Sequence, residues 1–252
     1  MTYPSVVEYF RYIAKQDRQH LYEQLNSIDD RDDAKLKYIY CSIFKALLPR
    51  FVSQKYNEGP FKLICDDFRP GNMLVDNRRD LKIIGVIDWE WAYAGPYQLL
   101  FSPPRWLLLK RPDTWDVEVK HSMSHRYVVC FERFLRALEE EEKSRRELEG
   151  DMEEELSTLM KQSMADGTFW FNELVYSSFN SPDGMPWVQL RAMIPRLDDL
   201  STVSEAEVND FIKMKIEHLG VYNVEWGKLK EEIDRQEVEV QALREKRKIE
   251  GS

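Results

Sequence analysis

Val6, Val7, Phe10, Ile13 and Ala14 recur at steps of three and four, the spacing of one apolar face of a helix. Leu36, Ile39, Tyr40, Ile43, Phe44, Leu47 and Leu48 repeat the pattern, and Pro49 is expected to end that second helix. Residues 61–88 change character. Phe61 to Cys65 reads as a short strand, Met73 to Val75 as another, and Leu81 to Ile87 as a third, apolar and β-branched. The polar run Asp76 to Asp80 suits a hairpin turn between the last two. After about residue 100 the pattern is helical again, punctuated by Pro103-Pro104 and by Ser181 to Pro186. Phe169, Trp170 and Phe171 read as core. The final segment, 228–249, sets Leu229, Ile233, Val240 and Leu243 on one side of a charged helix. It reads as a surface helix packing on its own domain, with a partner-binding helix as the alternative.

The expected fold class is therefore α+β and mostly helical, with a small β-insert on a helical body, and residues 1–252 are read as a single domain. A chain of this length can bury a real core. Strands this few carry loops rather than an independent sheet, and loops on a rigid scaffold are where site residues gather.

Charge changes the picture in one place. The chain carries 36 Lys and Arg against 45 Asp and Glu, a net charge of −9. Residues 139–155 hold ten acids against three bases, net −7, which is most of that excess. Such a block reads as a solvated helix or a mobile loop, with a surface for a cationic ligand as the sharper alternative. The acidic balance argues against nucleic-acid binding. No run of apolar residues is long enough to span a membrane, and no secretory leader is visible, so a cytoplasmic location is expected. Cys41, Cys65 and Cys130 are too few and too scattered for a disulfide framework or a zinc site. His121 and His125 stand four apart on an expected helix, but no third ligand is evident, and surface histidines are the better reading.

The informative stretch is Cys65-Asp-Asp-Phe-Arg-Pro-Gly-Asn72, with Ile87-Asp88-Trp89-Glu90 after it. Asp67 and Asn72 stand five apart on a strand, loop and strand, and Asp88 closes the next apolar strand 16 residues after Asn72. Phosphoryl transfer calls for these groups. One carboxylate orients the acceptor hydroxyl and takes its proton, while an amide oxygen and a second carboxylate hold magnesium against nucleotide phosphates. Asp67 is the candidate base, and Asn72 and Asp88 are the candidate metal and cofactor-binding pair.

This stretch resembles the catalytic and metal loops of the aminoglycoside phosphotransferase (APH) family, which is protein-kinase-like. The family pattern is roughly H-G-D-x-H-P-x-N, an apolar strand, then I-D-[FW]. The segment from Trp91 to Pro96 also resembles the family's residues just after the metal Asp. The detailed resemblance covers 61–106 and is nearest to fungal members. It implies a phosphotransferase that uses Mg2+ with ATP or GTP and a hydroxyl-bearing small molecule. Three positions depart from the pattern. Cys65 stands for the usual His and donates only weakly. With no His near it in sequence, it is read as a packing residue rather than a nucleophile. Asp66 stands for a usual Gly, its side chain expected to point away from Asp67. Arg69 stands for a usual His, placed to meet a phosphate or a carboxylate, or simply to form a surface salt bridge. Trp89, Trp91 and Trp106 are expected to pack around the metal loop.

One part of the pattern is missing. Residues 1–60 read as helices, with Gly59 the only glycine and no lysine on an early strand. The resemblance therefore implies a C-terminal lobe alone, with its N-lobe absent: a truncated or split gene product, or a true C-lobe protein. A catalytically inactive remnant that binds a partner is the alternative function, as is a module for a cationic metabolite. Self-association or a separate N-lobe partner would cover the exposed face of such a lobe.

Overall fold

The computed structural model describes residues 3–107, 120–149, 154–177 and 182–250. Helices α1 (Val6–Glu23) and α2 (Arg31–Phe51) come first. Four short strands come next: β1 (Phe61–Cys65), β2 (Met73–Val75), β3 (Ile83–Val86) and β4 (Ala92–Pro96). The remaining helices are α3 (Lys120–Glu149), α4 (Leu156–Asp166), α5 (Thr168–Ser177), α6 (Met185–Met193) and α7 (Glu205–Glu250). The chain is thus mostly helical with a small strand set, consistent with α+β.

The first two strands have the expected bounds, and the third, expected over Leu81 to Ile87, is shorter, Ile83–Val86. The fourth, β4, was not foreseen, because Ala92-Tyr-Ala-Gly-Pro96 has neither β-branched residues nor a clear period. Pairing creates it: β1 and β4 are antiparallel, with Lys62 opposite Gly95 and Cys65 opposite Ala92. Strands β2 and β3 form a separate antiparallel hairpin, Met73 opposite Val86. Pro49 does not end α2, which runs on to Phe51. Asp30 fixes the other end, its carboxylate accepting from the amides of Asp32 and Asp33 at 2.9 Å. The last turn survives Pro49 because Phe51 is buried and stacks on Phe171 at 4.9 Å.

By contacts the chain divides into two compact units, residues 1–17 with 40–202, and residues 18–39 with 203–252. In the first unit, Phe10, Phe44 and Phe51 gather around Phe171. Phe169, Trp170 and Phe171 are all buried, as the apolar run implied. Gly95 sits where β4 approaches β1 most closely. A Cβ there would lie 2.7 Å from Ile64 Cδ1 and 2.7 Å from the Tyr93 ring. Ile64 is buried and the Tyr93 hydroxyl is held by Tyr176, so neither yields freely. Gly95→Ala is expected to destabilise by about 1–3 kcal/mol in denaturant unfolding.

In the second unit, Tyr38 stacks on Phe211 at 4.4 Å and Tyr22 meets Phe211 edge-on at 5.0 Å. Lys215 is buried, its ammonium donating to the Gln24 carbonyl. Ser204 and Glu207 form a reciprocal capping box at the start of α7: Glu207 Oε2 accepts from the Ser204 amide and hydroxyl, and Ser204 Oγ accepts from the Glu207 amide. The Ser204 amide, then its hydroxyl, hold the Glu207 carboxyl below its ordinary value. A depressed carboxylate contributes stability above its unfolded pKa, about 4.3, and loses that contribution as pH falls through the folded value. A carbon-detected titration of Glu207 should place its midpoint below that of a free glutamate, and Ser204→Ala should move it back up.

The acidic run lies partly on α3, and its described members are largely paired. Glu142 accepts from the amide and hydroxyl of Ser157, Arg146 meets Glu155 at 2.8 Å, and Lys161 pairs with Glu139. Residues 150–153 of the run, and the side chains of His121 and His125, lie outside the described residues. Among those described, no helix is long and apolar enough to cross a membrane, and Cys41, Cys65 and Cys130 form no disulfide.

Candidate active site

The site is built from the ends of four strands. Beyond β1 the chain turns at Asp66 and Asp67, and the Phe68 amide donates to the Cys65 carbonyl at 3.2 Å. Pro70 to Asn72 form one 3-10 turn that leads directly into β2. Asn72 is buried, at 6% exposure, and its amide group binds the loop together. Asn72 Nδ2 donates to the Asp67 carbonyl at 2.8 Å and to Asp67 Oδ2 at 2.9 Å. The other carboxylate oxygen, Asp67 Oδ1, meets Arg69 Nε at 2.9 Å. Both residues are partly exposed, so this ion pair contributes at most about 1 kcal/mol.

Asp88 reaches the same place from β3. The Ile87 amide donates to the Asn72 carbonyl at 2.9 Å, continuing the β2–β3 ladder by one step. Asp88 comes next in a left-handed conformation, φ 65°, which Asp tolerates better than most residues. The loop is then anchored on its far side, where the Asp66 amide donates to the Trp91 carbonyl at 3.3 Å. Asn72 and Asp67 are thus joined by hydrogen bonds, and the Ile87 amide brings the backbone just before Asp88 beside Asn72.

Asp66 and Asp67 find separate partners. Asp66 Oδ1 accepts from the Tyr176 hydroxyl at 2.9 Å and faces the Tyr93 hydroxyl at 3.5 Å. The Arg105 guanidinium lies 3.6 Å over the Tyr176 ring and donates from Nε to Glu173 at 3.0 Å. Burial pushes the Tyr176 phenol up to about 12, with Asp66 adding and Arg105 opposing. Burial, then Tyr176 and Tyr9, raise the Tyr93 phenol further. Burial works against the Arg105 charge, but Glu173, then Tyr176 and Asp66, hold its pKa above the ordinary value. Both phenols thus remain donors at any working pH. This platform was missed in the sequence. Its one local signal is Glu173, a lone acid inside the apolar helix Thr168–Ser177, since a buried acid needs a cation.

The tryptophans correct an expectation. Trp89 and Trp91 do not pack around the loop but are 47% and 62% exposed, the Trp89 indole donating to the Val86 carbonyl at 2.9 Å. The strands beneath them are too short to offer a second layer. Trp106 does pack, edge-on to Phe68 and Phe134. Leu81, Ile83, Ile84 and Ile87 are also exposed, which leaves the β2–β3 hairpin apolar on its open side.

A cavity of about 460 Å³ opens beside the loop. Cys65 to Arg69 form one wall, and Leu99, Pro103, Trp106 and Met160 form much of the other. This size suits a small organic ligand. Among the described residues, no three His, Cys, Asp or Glu side chains gather where a metal could be held.

Residues 3–98 match the family model described as "Phosphotransferase enzyme family" (APH). The match takes in α1, α2, all four strands and every candidate residue of the site. It supports the family that the motif resembles and points to phosphotransferase-like function. No curated protein and no solved structure is found to match the chain.

Proposed function

We propose that the chain is a phosphotransferase of the APH and kinase-like kind, built as a C-terminal lobe, which passes a nucleotide γ-phosphoryl group to a hydroxyl of a small molecule. The observation that supports this reading is the Asn72–Asp67 hydrogen bond, with the strand before Asp88 paired back to Asn72, all within the matched segment. The acceptor sits in the adjoining cavity. Asp67 takes the hydroxyl proton as the new oxygen–phosphorus bond forms and the bond to the leaving diphosphate breaks. Asn72 fixes Asp67 by donating to Oδ2, which leaves lone pairs of the carboxylate for the acceptor.

The donor set fits magnesium. Asn72 spends its NH₂ group on Asp67, so its amide oxygen remains a hard donor, and Asp88 offers an exposed carboxylate. These two residues would hold the ion, which supplies neutralisation of the phosphate charge. Arg69 is half-exposed and long enough to leave Asp67 for an incoming phosphate.

The test is transfer from γ-labelled ATP and GTP, with magnesium, to a panel of hydroxyl compounds. Label in an organic product is the expected result. Label that stays on the nucleotide, or appears only as inorganic phosphate, would count against transfer. One observation favours a second reading, a remnant that binds without transferring: Arg69 already occupies the candidate base. Under that reading nucleotide binds, no label moves, and Arg69→Ala restores no transfer.

A further inference from the structure

Helix α7 is 46 residues long, and among its described side chains only those of its first part are packed. Val208, Phe211, Ile212 and Lys215 are buried in the second unit. From Asn223 to Gln241 every side chain is exposed. A lone helix in water is marginal, and most helices are stabilised by packing an apolar face. Among the described residues, no ion pair ties this exposed stretch together. Something else must account for its persistence as a helix.

The apolar positions have a period. Val208, Ile212, Leu219, Tyr222, Trp226, Leu229, Ile233 and Val240 fall on alternating steps of four and three, with the polar Lys215 and Gln236 at the two remaining positions. That is a heptad seam with d at 208, 215, 222, 229 and 236, and a at 212, 219, 226, 233 and 240. Leu243 takes the next d position in sequence, its side chain lying outside the described residues. The seam is buried at its start and runs on into the exposed half. There Trp226, Leu229, Ile233 and Val240 are 47%, 47%, 39% and 46% exposed. A 3.5-residue period sustained this long implies a left-handed supercoil with another helix.

We infer that the exposed half of α7 forms a parallel, two-stranded coiled coil with a second copy of this chain. The residue choice carries the strand number. Ile233 and Val240 at a with Leu229 at d is the combination that favours two parallel strands, and a parallel, in-register pair stacks Gln236 on its own copy. The flanking charges carry the orientation. In a parallel pair each g residue meets the e residue five positions on in the other chain. Glu225 then meets Lys230 and Glu239 meets Arg244, while Glu232 meets Glu237. Two of the three contacts attract. In the antiparallel alignment that stacks Ile233 on Leu229, Glu225 meets Glu232, both g positions, and Gln236 stacks on Trp226 instead of on its own copy. Val221, Val224 and Val238 are exposed but lie off the seam.

The test uses the full chain. Sedimentation equilibrium at micromolar concentration should give twice the 30.1 kDa chain mass. Ile233→Lys should weaken dimerisation at least about 100-fold, since it places two ammonium groups in one core layer. Val238→Lys, at an outward position, should leave it unchanged. Glu232→Lys turns the one repulsive contact attractive and should tighten the dimer about tenfold. Gln236→Cys, equilibrated with oxidised and reduced glutathione, should give a disulfide-linked dimer that the natural sequence does not form. Circular dichroism of each variant shows whether the helix persists. A monomer at tens of micromolar would overturn the inference, as would a dimer that Ile233→Lys leaves intact. A dimer broken by Ile233→Lys but not linked through Gln236→Cys would overturn the parallel register.

Discussion

Asp67→Asn lowers phosphoryl transfer by about 10²- to 10⁴-fold and leaves nucleotide affinity nearly unchanged, the range expected when a positioned base is removed. The substitution is close to isosteric. An Asn side chain keeps an oxygen to accept from Asn72 Nδ2, so the loop retains its internal bond. What disappears is the charge that takes the proton, together with the Arg69 ion pair, which is too exposed to matter much for folding. The loss should therefore appear in kcat, with unfolding by denaturant little changed. If kcat were unaffected, Asp67 would not be the base and the assignment of the loop would be wrong.

Glu173→Ala destabilises by about 3–5 kcal/mol, the cost of removing one partner of a buried ion pair. Glu173 is only 3% exposed, so the position its carboxylate leaves has little access to water, although Arg105 itself is 21% exposed. The guanidinium that remains lies over Tyr176, and Tyr176 holds Asp66 beside the Asp67–Asn72 loop. The damage should thus reach the site as well as the core. Glu173→Gln should recover part of the loss, because an amide oxygen can accept from Arg105 Nε without supplying charge. A loss below about 1 kcal/mol on Glu173→Ala would mean that the pair is solvated in the folded chain. Since whole domains are stable by only about 5–15 kcal/mol, the difference is readily seen in a denaturation midpoint.

These two residues also mark what could and could not be read in advance. The loop that carries Asp67 was legible because it is local: the spacing to Asn72, the turn between them and the strand after them all lie in one short stretch. The strands Phe61–Cys65 and Met73–Val75 were legible for the same reason, each a β-branched or apolar run bounded by turn residues. Strand β4 was not, since its conformation comes from pairing with β1 rather than from its own residues. Asp66 was expected to face away from Asp67, and the two do take different partners. That the partner is Tyr176, 110 residues along the chain, is a tertiary fact. The tryptophans misled because a large ring is usually buried, whereas Trp89 and Trp91 sit on a hairpin with no second layer. Pro49 misled because packing of Phe51 outweighs one lost backbone bond at a helix end.

Calorimetric titration of the whole chain with Mg·ATP and Mg·GTP, beside Asp88→Ala, tests the central claim most directly. The account predicts binding that needs magnesium and is lost in Asp88→Ala, because Asp88 supplies one of only two protein ligands to the ion. Binding that is indifferent to magnesium or to Asp88, or none at millimolar nucleotide, would contradict it.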